Sequence, residues 1–143
     1  MSLALSYSFF AHEDSLARKS LMHLENILVI QKGSGEMSIF VVETYLVASE
    51  KREKFKLLIQ RLLEYKKENP TLFEEVKSLK LFARMFGDIT GTYIEMWEFD
   101  SMADLEKCWK REDKDEGFMK IHKQFLQLID PTEFSMKIWN AVM

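Results

Sequence analysis

Leu79-Lys80-Leu81-Phe82-Ala83-Arg84-Met85-Phe86 and Thr92-Tyr93-Ile94-Glu95-Met96-Trp97-Glu98-Phe99 flank the short segment Gly87-Asp88-Ile89-Thr90-Gly91. Successive side chains of a β-strand point to opposite faces, so each run sorts into two sets. Leu79, Leu81, Ala83 and Met85 share one face of the first run, and Lys80, Phe82, Arg84 and Phe86 share the other. In the second run Tyr93, Glu95, Trp97 and Phe99 oppose Ile94 and Met96. A glycine-bounded link between two alternating runs predicts an antiparallel hairpin. Both faces of that hairpin carry large apolar groups, so one layer of helices leaves half of it uncovered.

The flanking sequence completes the fold. Upstream, Ser38 to Val47 is apolar at nearly every position and rich in β-branched residues, as expected for a strand covered on both faces. From Glu50 to Glu68 the period changes: Phe55, Leu58, Ile59 and Leu62 recur at spacings of three and four, which predicts an amphipathic helix stopped by Asn69-Pro70. Downstream, Asp100 or Ser101 caps a helix bearing Leu105, Cys108 and Trp109. It is interrupted near Lys110 to Gly117, resumes through Phe118, Ile121, Phe125 and Leu128, and ends at Asp130-Pro131. Phe134 to Val142 reads as a last strand. The order βαββαβ is α+β and ferredoxin-like, with a four-stranded antiparallel sheet. Its open face would expose an apolar patch on the order of 400 Å², which predicts a second sheet as cover. Residues 37–143 form this domain. Residues 1–36 are expected to add an N-terminal extension: a strand at Leu3 to Phe9, a helix at Ser15 to Asn26, and Ile27 to Gln31 pairing across the turn Lys32 to Glu36.

Composition narrows the classes. The 143 residues carry 20 basic and 23 acidic side chains, with eleven Phe, four Tyr and three Trp, so the chain can bury a core and is not of a disordered type. A single cysteine, Cys108, excludes an internal disulfide and points to a reducing, cytoplasmic compartment. The longest apolar runs are far below the ~20 residues of a membrane span. The first eleven residues lack a basic start, against a signal peptide. His12, Glu13, Asp14 and His23 lack metal-site spacing, so no metal is expected. GxSxG, P-loop and GxGxxG motifs are all missing.

Val41-Val42-Glu43-Thr44-Tyr45-Leu46-Val47, followed by a Lys/Arg/Glu-rich helix start, resembles the first strand and helix of the dimeric α+β barrel superfamily. Tyr93 to Asp104, with Trp97 and its following acidic residue, is similar to that superfamily's third strand and turn into the next helix. The superfamily holds antibiotic-biosynthesis-monooxygenase-like, haem-degrading, NIPSNAP-like and EthD-like proteins. The resemblance implies a homodimer packed sheet to sheet. Its haem-degrading branch uses an Asn, a Trp and an iron-ligating His. On that pattern Thr44 falls near the Asn, where it lacks the amide, Trp109 near the Trp, and His122 near the His.

These readings define the expected site: a small apolar or aromatic ligand between the sheet and the second helix. Thr44, Trp109 and His122 are the candidate catalytic residues of a monooxygenase-like enzyme, with haem as its candidate cofactor, and Trp97, Tyr45 and Phe118 the candidate ligand contacts. His122 lies one residue off the Phe118, Ile121, Phe125 stripe, which places its ring toward the edge of the cleft. The alternative is a dimerisation module whose aromatics are all structural. RNA-recognition domains share the βαββαβ order and stack bases on strand aromatics, but Glu95 between Tyr93 and Trp97 would repel phosphates. Neither nucleic acid nor a membrane is expected as a partner.

Overall fold

The computed structural model describes residues 38–87 and 90–142. The expected N-terminal strand, helix and strand, and the His12 to His23 group, lie outside the described residues. Four strands, β1 (Ile39–Leu46), β2 (Ser78–Ala83), β3 (Thr92–Phe99) and β4 (Ser135–Asn140), form one sheet in the order β2-β3-β1-β4. Every neighbouring pair is antiparallel. Helix α1 (Arg52–Glu68) joins β1 to β2, and α2 (Met102–Glu112) with α3 (Glu116–Leu126) joins β3 to β4. This is the expected ferredoxin-like arrangement.

Register assigns each residue to a face. Val41 pairs with Trp97, Glu43 with Glu95 and Tyr45 with Tyr93. These six, with Ile39 and Phe99, form the face beneath the helices, because directly paired residues point the same way. Phe55, Leu58 and Leu62 of α1, Leu105, Cys108 and Trp109 of α2, and Phe118, Ile121 and Phe125 of α3 close over it as one core. The Tyr45 ring is held edge-on by Phe55 at 5.8 Å and by Phe125 at 4.9 Å.

The other face bears Phe40, Val42, Thr44 and Leu46 of β1 and Ile94 and Met96 of β3, flanked by Phe82 on β2 and Trp139 on β4. No described helix packs there. Phe82 and Trp139 are about half exposed, as the sequence predicts for a sheet with two apolar faces.

Local chemistry places the ends. The Ser101 side chain accepts the Asp104 N–H at 3.2 Å and caps α2. β2 ends at Ala83, three residues short of the expected Phe86; Met85 and Phe86 project from the hairpin, almost fully exposed. Gly91, at φ +91°, closes that hairpin against β1: a Cβ there would lie 2.6 Å from the Val47 carbonyl oxygen, so only glycine fits. The break between α2 and α3 is confined to Asp113–Asp115, shorter than the charge run suggests. Lys110 and Arg111 stay helical on the solvent side, where Arg111 pairs with Glu74 and Glu75. Asp115 then caps α3 by accepting the Phe118 N–H at 2.7 Å.

Candidate functional site

The polar groups of the helix–sheet layer centre on Glu95. Strand alternation turns it inward with Tyr93 and Trp97, and burial leaves it 1% exposed. Its carboxylate accepts the Tyr45 hydroxyl at 3.2 Å on one oxygen and the Trp97 indole N–H at 2.9 Å on the other. Opposite it on β1 stands Glu43, also fully buried. Directly paired residues on neighbouring strands have Cβ atoms about 4.5–5.5 Å apart, and like charges in that position repel. Two carboxyl groups are thus set side by side at the middle of the sheet, within a mostly apolar layer. Burial pushes the Tyr45 phenol well above the ordinary range, and the Glu43 carboxylate adds to the shift, which keeps the hydroxyl a donor to Glu95.

α3 supplies the opposing wall. Phe118 meets Phe73 at 5.7 Å, and Phe73 stacks on Trp97 at 6.3 Å. His122 lies one turn beyond Phe118, on the buried side of α3 with Ile121 and Phe125. It is 3% exposed, so the imidazole belongs to the interior; the edge position expected from its offset in the stripe is corrected. The physical reason is that a helix lying flat on a core buries a broad stripe, wide enough to take in a residue adjacent to the main apolar row. Burial lowers its pKa from 6.5 to about 4, and its Nδ1 has no hydrogen-bond partner among the described residues. The imidazole is therefore neutral at pH 7.

The sequence candidates divide between two faces. Tyr45, Trp97, Trp109, Phe118 and His122 are all buried between sheet and helices. Thr44 is not among them. It pairs with Ile94 and Ser135 on the open face, separated by the sheet from His122 and Trp109, so the Thr44, Trp109, His122 grouping is not assembled in the cleft. The cause is the strand period of two: Thr44 and Tyr45 cannot both face the helices. Tyr93 and Trp97, the aromatics a base-stacking sheet would expose, also lie under the helices. Cys108 is a buried core thiol that donates to Glu112 at 3.5 Å and to the Leu72 carbonyl at 3.6 Å. Burial first and Glu112 second raise its pKa, against any role as a nucleophile. Glu43 was legible in principle: an acid inside an otherwise apolar strand, within the run VVETYLV, has either a partner or a task.

No helix among the described residues is long and apolar enough to cross a membrane. No protein-family model and no curated protein matches the chain. Solved structures do. A NIPSNAP family protein from Agrobacterium tumefaciens str. C58 superposes with a TM-score of 0.61 at 15% identity, covering 76% of this chain and 90% of its own. A second, of unknown function and from the same organism, gives 0.59 at 14% identity over 76% and 91% of the two chains. An antibiotic biosynthesis monooxygenase gives 0.55 at 15% identity over 73% and 99%. The chain has the ferredoxin-like α+β fold of these NIPSNAP and antibiotic biosynthesis monooxygenase structures.

Proposed function

We propose that this chain is a homodimer that binds a small apolar or aromatic molecule between the sheet and α3. The observation that carries the ligand reading is the buried polar floor of that layer: Glu43 and Glu95 side by side, Glu95 oriented by Tyr45 and Trp97, beneath an apolar roof of Phe118, Phe125 and Trp109. Small-molecule sites combine a mostly apolar lining with a few oriented polar groups. The dimer reading rests on the apolar open face, whose isologous burial against a second copy would cover Phe40, Ile94, Met96 and Trp139.

Haem fits this layer poorly. His122 offers a neutral nitrogen, but Thr44 is on the far face and two buried carboxyl groups are a poor floor for an apolar macrocycle. The ligand reading is tested by an amide-resolved NMR titration with benzyl alcohol. Saturable shifts confined to β1, β3 and α3 support the reading. Shifts scattered over exposed residues, or none at millimolar probe, refute it.

A further inference from the structure

Exposed apolar side chains gather on one edge of the sheet. Leu81, Phe82, Met85 and Phe86 are each at least 37% exposed. Leu81 pairs with the inward Glu95 and so belongs to the helix face, while Phe82 pairs with Ile94 on the open face. Covering the open face alone therefore leaves part of this strand bare. Its backbone is bare as well. β2 ends the sheet order, and Arg84 donates to the Thr92 carbonyl one step beyond the Ala83 and Tyr93 pair. Bonded pairs alternate along an antiparallel ladder, so Lys80 and Phe82 bond to β3 while Leu79, Leu81 and Ala83 turn their N–H and C=O groups outward. No strand among the described residues takes them up. Such an edge templates another strand unless charge, proline or a bulge blunts it, and Lys80 is the single charge within β2.

Going beyond the open-face dimer, we propose that β2 pairs antiparallel with β2 of a second copy across a two-fold axis at Leu81. Charge selects this register. Outward residues must meet outward residues, which leaves few ways to keep most of β2 paired. Centring the contact between Leu79 and Leu81 sets Lys80 against the partner's Lys80, and centring it between Leu81 and Ala83 sets Lys80 against the partner's Arg84; like charges so opposed destabilise a sheet. Centred on Leu81, Lys80 meets the partner's Phe82, Leu79 meets the partner's Ala83, and Leu81 meets the partner's Leu81. Each pair of outward residues then exchanges two backbone hydrogen bonds. The chain past Ala83 carries Met85 and Phe86 toward the partner's Lys77 and the partner's Val76, and Val76 is a half-buried residue packed on the core, an apolar seat for the hairpin tip. One short strand pair buries less than the about 1,000 Å² of a stable interface, so the contact links open-face dimers at high protein concentration and leaves the micromolar dimer as it is.

The experiment is disulfide trapping with Leu81→Cys under mild oxidation at high micromolar protein, read by non-reducing electrophoresis. Residues in a bonded antiparallel pair have Cα atoms about 5.5 Å apart, within disulfide range. A covalent pair at twice 17.0 kDa should form, with Cys108 buried and out of reach. An open-face dimer cannot supply this bond, because Leu81 is on the helix face of the sheet. Lys80→Cys and Phe86→Cys are the controls: in this register each lies beyond about 7 Å from its own copy, so both should cross-link at least about tenfold more slowly. No bond from Leu81→Cys, or one formed no faster than from the more exposed Phe86→Cys, overturns the inference. Should the variants fail to fold, hydrogen exchange of the unmodified protein decides: the Leu79, Leu81 and Ala83 amides should gain protection as concentration rises from micromolar to millimolar, and exchange independent of concentration overturns the pairing.

Discussion

Gly117→Ala is a substitution for which general helix propensity and this structure give opposite signs. Gly117 sits in the first turn of α3, and replacing a helical glycine with alanine ordinarily stabilises by about 1 kcal/mol. Here a Cβ would overlap the Tyr65 hydroxyl oxygen and lie 2.8 and 2.9 Å from two ring carbons. Tyr65 reaches across from α1 to donate to Asp115 at 2.5 Å, the same carboxylate that caps α3. Making room for the methyl pushes the ring away and breaks that bond, a loss of about 1.5–3 kcal/mol for a charged acceptor. Crowding adds about 1 kcal/mol or more where the ring cannot swing clear. The net is a destabilisation of about 1–3 kcal/mol, or roughly 3–10 °C in Tm for a chain of this size. Thermal melts of a double-mutant cycle isolate the cause. In a Tyr65→Leu background Gly117→Ala should become neutral or mildly stabilising. An alanine variant as stable as the parent, or one equally damaged in the Tyr65→Leu background, refutes the reasoning.

Three further outcomes follow from single groups. Below pH 6.5 the unfolded chain takes up a proton at His122 that the folded chain refuses until about pH 4, so stability is full above 6.5 and is lost as pH falls through that window. The loss is at most about 3 kcal/mol; urea midpoints at pH 7 and 4.5 should fall further in the parent than in His122→Phe, and equal losses would contradict it. Ile94→Glu places a charge in the middle of the open face, so light scattering should move from twice 17.0 kDa toward 17.0 kDa; a parent that is already monomeric at micromolar concentration removes the dimer proposal. Cys108 should react with thiol reagents at the rate of global unfolding, because its sulfur is buried and its thiolate disfavoured; rapid labelling of the native chain would place it at the surface.

The fold was legible because its signals are periodic and local. Alternation over residues 79–99, the change to a period near 3.6 at Phe55, and the stop at Asn69-Pro70 each act over a short stretch of chain, and each has its counterpart in the structure. The exceptions mark where local rules lose to tertiary contacts. β2 stops at Ala83 although alternation runs on to Phe86, since Arg84 makes the last ladder bond, to Thr92, and nothing among the described residues pairs beyond it. The charge run at 110–117 does not break α2 early, because Glu74 and Glu75, far away in sequence, hold Arg111 on the helix.

The site was legible only in part, for a different reason. Burial of aromatics at strand and helix spacing follows from the pattern, so Tyr45, Trp97, Trp109 and Phe118 were recoverable. Which polar residues meet across strands depends on register, and a strand flanked by apolar residues on both faces gives no internal clue to which face is which. Thr44 is a candidate through the resemblance alone, and that ambiguity hides that its neighbour Glu43 is the inward residue. One pairing resolves it: with Glu95 placed inward by Tyr93 and Trp97, any register that sets β1 against β3 must put either Glu43 or Thr44 opposite an inward side chain. The observed pairing of Glu43 with Glu95 accepts two buried acids as directly opposed partners. A one-residue slip would avoid that repulsion and would also turn Val41 and Tyr45 out of the core. The apolar residues win the register, and the direct opposition of Glu43 and Glu95 is its electrostatic cost.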